Sequence, residues 1–328
     1  MSWLEQSWYR ITLLHLLLWP VSLLFGLLVA VRRILYRSGV LSRFKLPVPV
    51  IVIGNISVGG TGKTPFALWL AQQLLDEGWH PAIISRGYSK AKQQAGQFPR
   101  AVDMNDSSDE VGDEPLLMVQ RNLCPVWVGR DRVAAAQALL KAHPDCDVIL
   151  SDDGLQHYRM QRDVEIVLVD GKRRFGNGLL LPAGPLREPV TRLDSVDFVI
   201  VNGGELKGND FAMNLEGSSF YNLLNPNVRV IPAEFSRQSV HAIAGIGHPQ
   251  RFFAHLERLG LSVQQHPFSD HHCYSAADIE FSDADAILMT EKDAVKCAAF
   301  ATEKFWVLRV DAQIDPALTH LIIGKIKK

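Results

Sequence analysis

The sequence predicts an α/β fold in which a mostly parallel sheet carries helices on both faces. After Pro47, short β-branched runs alternate with amphipathic segments, which is the pattern of strands joined by crossover helices. The 328 residues are 47 % hydrophobic and 21 % charged, so the chain has enough apolar material for two ordinary domains. A long uncharged run precedes this body and predicts an N-terminal hydrophobic helix.

The uncharged run extends from Ile11 to Val31. As a helix rising about 1.5 Å per residue, it would reach about 30 Å, which is the thickness of a bilayer's hydrocarbon core. A cleaved signal peptide is disfavoured because the run ends in Val31-Arg32-Arg33-Ile34, without small residues for cleavage. A buried core helix remains open as an alternative, because polar residues interrupt the run.

Basic residues follow the run and favour attachment to a membrane. They are Arg32, Arg33, Arg37, Arg43 and Lys45. Basic flanks stay on the cytoplasmic side and attract anionic headgroups. We therefore expect residues 1–45 to attach the protein to the cytoplasmic face of a membrane. Whether the helix spans the bilayer or is partly embedded stays open.

The body shows two successive sets of strands and helices. Strands of the first set are predicted at 49–54, 81–85, 125–128, 147–151, 164–170 and 197–202, with helices at 63–77, 113–121, 131–142 and 189–194. Strands of the second set are predicted at 241–246, 285–290 and 305–310, with helices at about 249–259 and from about 316. The pattern lapses at the glycine-rich 203–210. We therefore expect a core domain at 46–205 and a smaller C-terminal α/β domain at 206–328.

Charge and cysteine content exclude several classes of function. The net charge of −1 gives no basic excess, so nucleic acid is not expected as a partner. The four cysteines are scattered and indicate free thiols in a reducing compartment. The run His271-His272-Cys273 is a poor zinc site, because adjacent side chains rarely point at one ion and no second ligand pair is suitably spaced.

The first predicted strand runs directly into GNISVGGTGKTP at 54–65. A strand, a glycine-rich turn and a helix in this order are typical of a P-loop NTPase-type sheet, although Ser57 stands where the usual pattern has its first glycine. Backbone N–H groups and the helix N-terminus would hold phosphate, Lys63 would bridge the outer phosphates and Thr64 would bind Mg²⁺. The expected nucleotide-binding residues are Ser57, Val58, Gly59, Gly60, Thr61, Gly62, Lys63 and Thr64. A glycine-rich turn without a ligand is the alternative.

A phosphate loop of this class needs an acidic partner at the end of a nearby strand. The run SDDGLQH places Asp152 and Asp153 after a buried strand. One of them should hold Mg²⁺ together with Thr64, and spacing does not decide which one. Gln156 and His157 continue the motif and could position phosphate or metal. The alternative is a pair of carboxylates that cap a loop.

Eight motifs in order resemble the tetraacyldisaccharide 4'-kinase family of Gram-negative bacteria. They are GNISVGGTGKTP, SRGY at 85–88, GDEP at 112–115, SDDGLQHYRM at 151–160, FGNGLLLPAGPLREP at 175–189, GIGHPQRFF at 245–253, DHH at 270–272 and TEKDAVKC at 290–297. The resemblance extends from the apolar run to the last domain, and a small residue at the position of Ser57 belongs to the family pattern.

The resemblance implies a kinase of lipid A biosynthesis at the inner membrane. ATP would donate its γ-phosphate to the 4'-hydroxyl of tetraacyldisaccharide 1-phosphate and yield lipid IVA. The lipid substrate and ATP, with Mg²⁺, are then the expected partners, and no protein partner is implied. An acceptor with four acyl chains stays in the bilayer, which gives the apolar N-terminus a purpose.

The resemblance also suggests roles for four residues outside the phosphate loop. A hydroxyl acceptor needs a group that takes its proton, and Asp113 of GDEP is the expected base, paired with His271 of the Asp-His motif. Alternatively, Asp113 is a helix N-cap and His271 a loop residue without function. Arg86 could neutralise phosphate or be solvated, and Glu188 could contact nucleotide or shape the site.

Two other classes of function compete with a metabolic kinase. Lys292-Asp293 in TEKDAVK is reminiscent of the base-reading motif of GTPases, which would suggest a membrane-associated regulatory or transport NTPase. The motif lacks its Asn, and its Asp follows the Lys directly, so the spacing is wrong. A nucleotide-binding scaffold without turnover would not need a base such as Asp113.

Overall fold

The computed structural model describes residues 8–9, 12–87 and 99–327. Ile11, the first residue of the apolar run, and Tyr88 of the SRGY motif lie outside these ranges. Within the described ranges the strands form two sheets, both mostly parallel, with helices packed against them. The predicted α/β class is confirmed.

The larger sheet contains nine strands among the described residues. They are β1 (Val50–Gly54), β2 (Pro81–Ser85), β3 (Arg100–Ala101), β4 (Val126–Val128), β5 (Val148–Asp152), β6 (Val164–Asp170), β7 (Phe198–Asn202), β8 (Phe211–Glu216) and β15 (Asp311–Ile314). Their order is β15-β8-β7-β6-β1-β5-β2-β4-β3. Edge strands β15 and β3 are antiparallel to their neighbours, and the seven strands between them are parallel.

The register of the two central strands positions the phosphate loop. In the β1–β5 pair, Ile53 lies opposite Asp152. The glycine-rich loop that follows β1 therefore begins beside the Asp152-Asp153 pair that ends β5. Open α/β sheets bind ligands at the carboxyl ends of their strands, so this edge is where a site is expected.

Helices cover both faces of the larger sheet. The α-helices in the described ranges are α1 (Leu13–Arg37), α2 (Lys63–Asp76), α3 (Ser108–Val111), α4 (Asp113–Gln120), α5 (Arg132–Ala142), α6 (Pro249–Arg258), α7 (Glu291–Cys297) and α8 (Ala317–Ile326). Phe66 of α2, Met118 of α4 and Ile322 of α8 are buried in the core on one face, and Leu139 of α5 in the core on the other. Each such side chain contributes about 1.5–3 kcal/mol through burial.

The smaller sheet contains six strands within the described ranges. They are β9 (Phe220–Asn222), β10 (Arg229–Val230), β11 (Val240–Ala244), β12 (Gln264–Pro267), β13 (Ala286–Thr290) and β14 (Phe305–Leu308). Their order is β10-β9-β14-β13-β11-β12, and the four strands from β14 to β12 are parallel. The loops after β11, β12 and β13 therefore leave one edge of this sheet together.

The two sheets divide the chain differently from the predicted domains. Strand β8 follows the glycine-rich 203–210 but extends the larger sheet, and β15 pairs with β8 at its edge. Helix α8 packs on the same sheet. The predicted boundary at residue 206 therefore does not coincide with the division between the sheets, because strand pairing at an edge depends on long-range contacts. Val190–Ser195, predicted as a helix, forms a 3₁₀ helix.

Helix α1 lies along the larger unit and contacts it with one face. Ser22 Oγ donates a hydrogen bond to the Leu180 carbonyl at 2.6 Å, and Arg33 Nη2 donates to Ser195 Oγ at 2.8 Å. Residues on this face recur three, four or seven positions apart, as a single helix face requires. They are His15, Ser22, Gly26, Arg33 and Tyr36.

The opposite face of α1 is apolar and exposed. Leu13 and Leu17 are 80 % and 76 % exposed, and only 11 % of the most apolar stretch of the helix is buried. Among the described residues, α1 is the one helix long and apolar enough to cross a membrane. An exposed apolar face of this size needs an apolar environment. The alternative of a buried core helix is therefore excluded, and α1 is consistent with membrane association.

Candidate active site

The glycine-rich loop lies between β1 and α2 and is held in shape by the backbone around it. Gly59 and Gly62 have φ angles of 106° and 93°, a left-handed conformation that favours glycine. A Cβ on Gly62 would lie 2.7 Å from Asn202 Nδ2, which itself donates to the Thr61 carbonyl at 3.1 Å. These contacts leave the loop amides and the N-terminus of α2 as a preformed anion site.

Ser57 does not need to be glycine in this loop. Its backbone is outside the left-handed region and forms an isolated bridge with Leu186. Val58 N donates to the Pro185 carbonyl at 2.8 Å, and Asn55 Nδ2 donates to the Ser57 carbonyl at 2.7 Å. The segment around Leu186 thus supports the start of the loop from outside, which explains why a side chain is tolerated there.

Lys63 reaches the acidic pair at the end of β5. Its Nζ lies 3.4 Å from Asp153 Oδ1, and Arg187 Nη1 lies 3.3 Å from both carboxylate oxygens of Asp153. Burial opposes ionisation of Asp153, but Lys63 and Arg187 outweigh it and lower the pKa of this carboxyl. Asp153 also has a φ of 46°, and left-handed backbone at a non-glycine residue often marks a functional turn.

The environment of Asp152 raises the pKa of its carboxyl, in contrast to that of Asp153. Its carboxylate is buried, and one oxygen accepts from Ser85 Oγ at 3.2 Å. Its other oxygen has no hydrogen-bond partner among the described residues. Burial, reinforced by the negative charge of Glu114, raises the pKa of Asp152.

The residues predicted to bind Mg²⁺ fit that ion. No cluster of three or more His, Cys, Asp or Glu side chains converges anywhere in the described ranges. Mg²⁺ does not require one, since it usually keeps several waters and takes one or two carboxylates together with substrate phosphates. The unpaired oxygen of Asp152 and the buried hydroxyl residue Thr64 at the start of α2 are hard oxygen donors of this kind.

The structure brings Asp113 and His271 together from the two sheet units. Asp113 is the first residue of α4, and His271 lies in the loop that follows β12. His271 Nδ1 is 3.0 Å from Asp113 Oδ2. The N-cap of α4 is Gly112, so the alternative that Asp113 caps this helix does not hold.

The ionisation of Asp113 follows from its neighbours. Burial opposes the charged form, but the hydrogen bond with His271 and the charges of Lys296 and Lys292 outweigh it and lower the pKa of Asp113. The carboxyl is therefore ionised at neutral pH and positioned by an imidazole, which is the arrangement a proton acceptor requires.

Loops of the smaller unit close over the phosphate loop. A Cβ placed on Gly247, after β11, would lie 3.8 Å from the Gly60 amide nitrogen and 3.4 Å from Asp270 Oδ2. Lys292 Nζ lies 3.4 Å from Glu114 and 3.6 Å from Asp270. The glycine-rich loop, the acidic pair and the Asp113–His271 pair therefore surround one cleft between the sheets.

Almost the whole chain matches a known protein family. Residues 14–327 match the family described as Tetraacyldisaccharide-1-P 4'-kinase, LpxK. The chain belongs to this family.

Relatives and one solved structure agree with the LpxK family along almost the whole chain. Tetraacyldisaccharide 4'-kinase of Methylobacillus flagellatus is 52 % identical over 326 residues, which is 99 % of this chain and 96 % of that protein. The kinase of Azoarcus is 51 % identical over 95 % of this chain and 92 % of its own length. Crystalline LpxK of Aquifex aeolicus in complex with ATP superposes with a TM-score of 0.81 at 31 % identity, covering 95 % of this chain and 99 % of that one. The kinase prediction is confirmed at this level, and the regulatory NTPase alternative receives no support.

The residue that suggested a GTPase is structural in this LpxK family member. Asp293 is fully buried, accepts hydrogen bonds from the Gly245 amide and the Tyr274 hydroxyl at 3.1 Å each, and pairs with Lys296 at 2.9 Å. Thr290 caps α7 by accepting from the Asp293 amide. These three contacts of the carboxylate involve Oδ1, and Oδ2 accepts from the Thr290 hydroxyl at 2.7 Å, so both carboxylate oxygens are engaged within the protein.

Glu188 and Gln156 support the loop from behind. Glu188 is fully buried and accepts from Gln156 Nε2 at 2.7 Å and from the Tyr158 hydroxyl at 2.6 Å. Gln156 Nε2 also donates to the Asn55 carbonyl at 3.1 Å. Both residues therefore shape the entry to the loop.

Two other predicted residues lie at the margin of the cleft. Burial and the charge of Arg132 lower the pKa of His157 to about 4, so its imidazole is neutral at pH 7 and lies near Asp131 at 4.0 Å. Arg86 is exposed immediately after β2, at the same edge of the sheet as Asp152.

Sequence reasoning missed several residues that build the cleft. They are Arg132, Arg173, Arg187, Asn202 and Glu114. Arg173 Nη2 donates to the Gly60 carbonyl at 2.7 Å, and Arg132, only 3 % exposed, has a pKa lowered by burial to about 10. Four of the five end or follow strands of the larger sheet or lie in the first turn of its helices, and Arg187 lies in the loop between β6 and β7. Polar residues at that edge were the signal that could have found them.

Proposed function

We propose that this protein transfers the γ-phosphate of ATP to the 4'-hydroxyl of tetraacyldisaccharide 1-phosphate. The observation that carries the proposal is the placement of Asp113 and His271 across one cleft from the phosphate loop. A phosphate donor site and a proton acceptor on opposite sides of a cleft are what an in-line transfer requires. Membership of the LpxK family identifies the donor and the acceptor.

The donor side of the cleft holds the phosphates of ATP. The amides of residues 57–64 and the N-terminus of α2 bind the phosphate oxygens. Lys63 exchanges its contact with Asp153 for the outer phosphates as the nucleotide enters. Bound Mg²⁺ would be held by Thr64 and by Asp152 or Asp153, and would neutralise charge on the phosphates. The single unpaired oxygen of Asp152 favours this residue as the direct ligand.

The acceptor side removes the proton of the 4'-hydroxyl. As the bond between the 4'-oxygen and the γ-phosphorus forms, the bond between that phosphorus and the β,γ-bridging oxygen breaks, and ADP leaves. Asp113 accepts the hydroxyl proton, and His271 orients the carboxylate through its contact at 3.0 Å. The product is the 1,4'-bisphosphate, lipid IVA.

Helix α1 keeps the cleft at the membrane surface that presents the lipid. Its body-facing contacts extend from Ser22 to Tyr36, so the helix lies along the protein and its apolar face is free to enter the bilayer. This supports a partly embedded helix over a separate membrane span. Arginines at its end support an orientation with the body on the cytoplasmic face of the inner membrane.

A transfer assay tests the function. The purified protein is incubated with ATP labelled at the γ-position, Mg²⁺ and the tetraacyldisaccharide 1-phosphate in detergent micelles. We expect label in a lipid-extractable bisphosphate, and none from the Lys63→Ala variant, which loses its contact with the outer phosphates. Label released only as inorganic phosphate by the unaltered protein would refute the kinase function and indicate an NTPase.

A further inference from the structure

A basic cavity lies where the apolar helix ends. Its volume is about 230 Å³, and its charged lining consists of five arginines and three carboxylates. The arginines are Arg33, Arg37, Arg43, Arg162 and Arg192. None of these residues belongs to the phosphate loop or to the Asp113–His271 pair, so the cavity is separate from the catalytic cleft.

The three carboxylates of the cavity are already occupied by partners. Glu165 pairs with Arg192 at 2.6 Å and with Arg162 at 3.0 Å. Asp163 accepts from the Val50 amide at 2.8 Å. The third, Asp197, pairs with a lysine of α8 at 2.7 Å. Glu165 and Glu188, which lies 3.2 Å from Arg192, therefore compensate Arg162 and Arg192, and none of the three lining carboxylates forms an ion pair with the other three arginines among the described residues.

The remaining arginines come from the end of α1 and the segment that follows it. Arg33 donates to Ser195 Oγ at 2.8 Å, which orients its guanidinium at the cavity wall. Arg37 and Arg43 are exposed and have no ion pair among the described residues. Arg33 and Arg37 are four positions apart on α1, where two like charges repel each other. An anion between them would reverse that repulsion.

Exposed apolar side chains are the neighbours in sequence of these three arginines. Ile34, Val40 and Phe44 are 62 %, 71 % and 37 % exposed, and they alternate along the chain with the three unpaired arginines. Apolar side chains next to arginines match the boundary of a bilayer, where acyl chains adjoin phosphates. A soluble anion would gain no binding energy from these apolar side chains.

We propose that this cavity binds the phosphate of a membrane lipid. The guanidinium groups of Arg37 and Arg43 bind the phosphate oxygens, with Arg33 and Ser195 at the back of the cavity. Arginine suits this ligand because its planar fork matches the oxygens of a phosphate. The phosphate belongs either to bulk anionic phospholipid or, if the proposed function holds, to the 1-phosphate of the acceptor.

Vesicle binding by charge-matched variants of the full chain tests the site itself. Arg37→Gln with Arg43→Gln removes two charges of the cavity, and Arg32→Gln with Lys45→Gln removes two charges of the same basic flank outside it. On phosphatidylcholine vesicles with added phosphatidylglycerol, diffuse attraction predicts equal losses for both pairs. For a phosphate held by two arginine forks, the cavity pair is expected to lose about tenfold more affinity than the control pair.

Kinetics in neutral-detergent micelles without anionic lipid distinguish the two sources of the phosphate. A KM for the acceptor that rises about tenfold in the cavity pair, with kcat retained, assigns the site to the acceptor's 1-phosphate. A loss confined to phosphatidylglycerol vesicles assigns it to bulk lipid. Equal behaviour of the two pairs in both experiments would overturn the proposal. Vesicle binding does not depend on turnover, so a failure of the kinase assay would leave this test intact.

Discussion

Neighbouring groups shift the pKa values of three carboxyls in the cleft, one upwards and two downwards. Burial and Glu114 raise the pKa of Asp152, whereas cations overcome burial and lower the pKa values of Asp153 and Asp113. Environments that separate the pKa values of nearby groups are a way to assign roles. Asp153 stays ionised beside Lys63, and Asp113 stays ionised at the acceptor side. The opposite shifts therefore distinguish the two neighbouring carboxyls of the donor side, Asp152 and Asp153, from each other.

Replacing Asp113 by Asn should remove the proposed proton acceptor and keep the shape of the site. We expect kcat to fall by about 10²- to 10⁴-fold, the usual contribution of a positioned base. Binding of ATP, measured by equilibrium titration, should not change, because Asp113 lies outside the phosphate loop. Asp109→Asn, an exposed change one helix earlier, is the control. Turnover of Asp113→Asn equal to that control would remove Asp113 from the mechanism.

Replacing His271 by Gln should change how the rate depends on pH. The hydrogen bond from His271 is the largest influence that lowers the pKa of Asp113 against burial, so its loss should raise that pKa. When the pH is lowered, a base with a raised pKa becomes protonated sooner, so the loss of activity on the acid side begins at a higher pH. The acid side of the kcat/KM profile, which lies below the ordinary Asp value of about 3.9 in the unaltered protein, should therefore move upwards. His272→Gln, whose ring lies 3.6 Å from Asp278, is the matched control.

A uniform loss of rate in His271→Gln, with the shape of the profile unchanged, would contradict this account. It would mean that the imidazole acts on the substrate and does not act through the ionisation of Asp113. The two outcomes differ in the shape of the profile as well as in the size of the effect, so they can be told apart.

At the scale of elements, the sequence predicted six of the nine described strands of the larger sheet and three of the six described strands of the smaller sheet, each within one or two residues. Predicted strands such as VIVIG and VEIVLVD are buried on both faces and therefore mostly apolar. Edge strands were harder. Strands β8 and β15 were not predicted. Strand β8 alternates between exposed and covered residues, and β15 is placed in the sheet by its pairing with β8.

The parts of the catalytic cleft that are local motifs could be predicted from the sequence. Contacts between residues distant in sequence could not be predicted from spacing. The phosphate loop and the Asp152-Asp153 pair are local motifs that follow strands, so their place could be inferred from the chain. The meeting of Asp113 with His271 came from the family resemblance, since the two are 158 residues apart. The support of Asn55 by Gln156 and Glu188 depends on tertiary contacts and left no sequence signal of its own.

The junction between β1 and the phosphate loop should not accept a larger residue. A Cβ on Gly54 would lie 2.5 Å from Leu155 Cβ and 3.1 Å from the Leu155 amide nitrogen, so backbone would have to move. We expect Gly54→Ala to lower the free energy of unfolding by about 1–3 kcal/mol, the usual cost of overpacking. Urea unfolding of the detergent-solubilised protein measures this change.

The control for this element is Gly324→Ala in helix α8. Nothing lies within 4 Å of a Cβ built on Gly324, and alanine is favoured over glycine in a helix by about 1 kcal/mol. That variant should be unchanged or slightly more stable. If Gly54→Ala is as stable as Gly324→Ala, the close approach of the two loops does not constrain the fold.

At the scale of the whole molecule, one arginine whose side chain is only 11 % exposed joins the two sheet units. Arg121, at the end of α4, donates to Glu291 at 2.8 Å, to Asp311 at 2.7 Å and to the Val310 carbonyl at 2.9 Å. Glu291 begins α7 of the smaller unit, next to Lys292, which contacts the Asp270 loop. The position of His271 over Asp113 therefore depends on how these units are held together.

Replacing Arg121 by Met should destabilise the protein in a pH-dependent way. Glu291 is buried, and removing one partner of a buried pair costs about 3–5 kcal/mol, because the other charge is left uncompensated. Burial already raises the pKa of Glu291 against the charge of Arg121, so the variant raises it further. A carboxyl whose pKa is higher in the folded than in the unfolded protein makes the folded protein less stable as the pH rises. The difference in Tm between Arg121→Met and the unaltered protein should therefore narrow from pH 8 to pH 5.

Arg309→Met separates a buried junction from a simple loss of charge. Arg309 pairs with Asp311 as well, at 2.9 Å, but both side chains are more than 40 % exposed, and exposed pairs contribute about 0–1 kcal/mol. This variant should have nearly the Tm of the unaltered protein at every pH. If Arg121→Met behaves the same way, Arg121 does not hold the two units together. If instead only Arg121→Met is destabilised, and its kcat falls while ATP binding persists, this arginine sets the distance across which the phosphate is transferred.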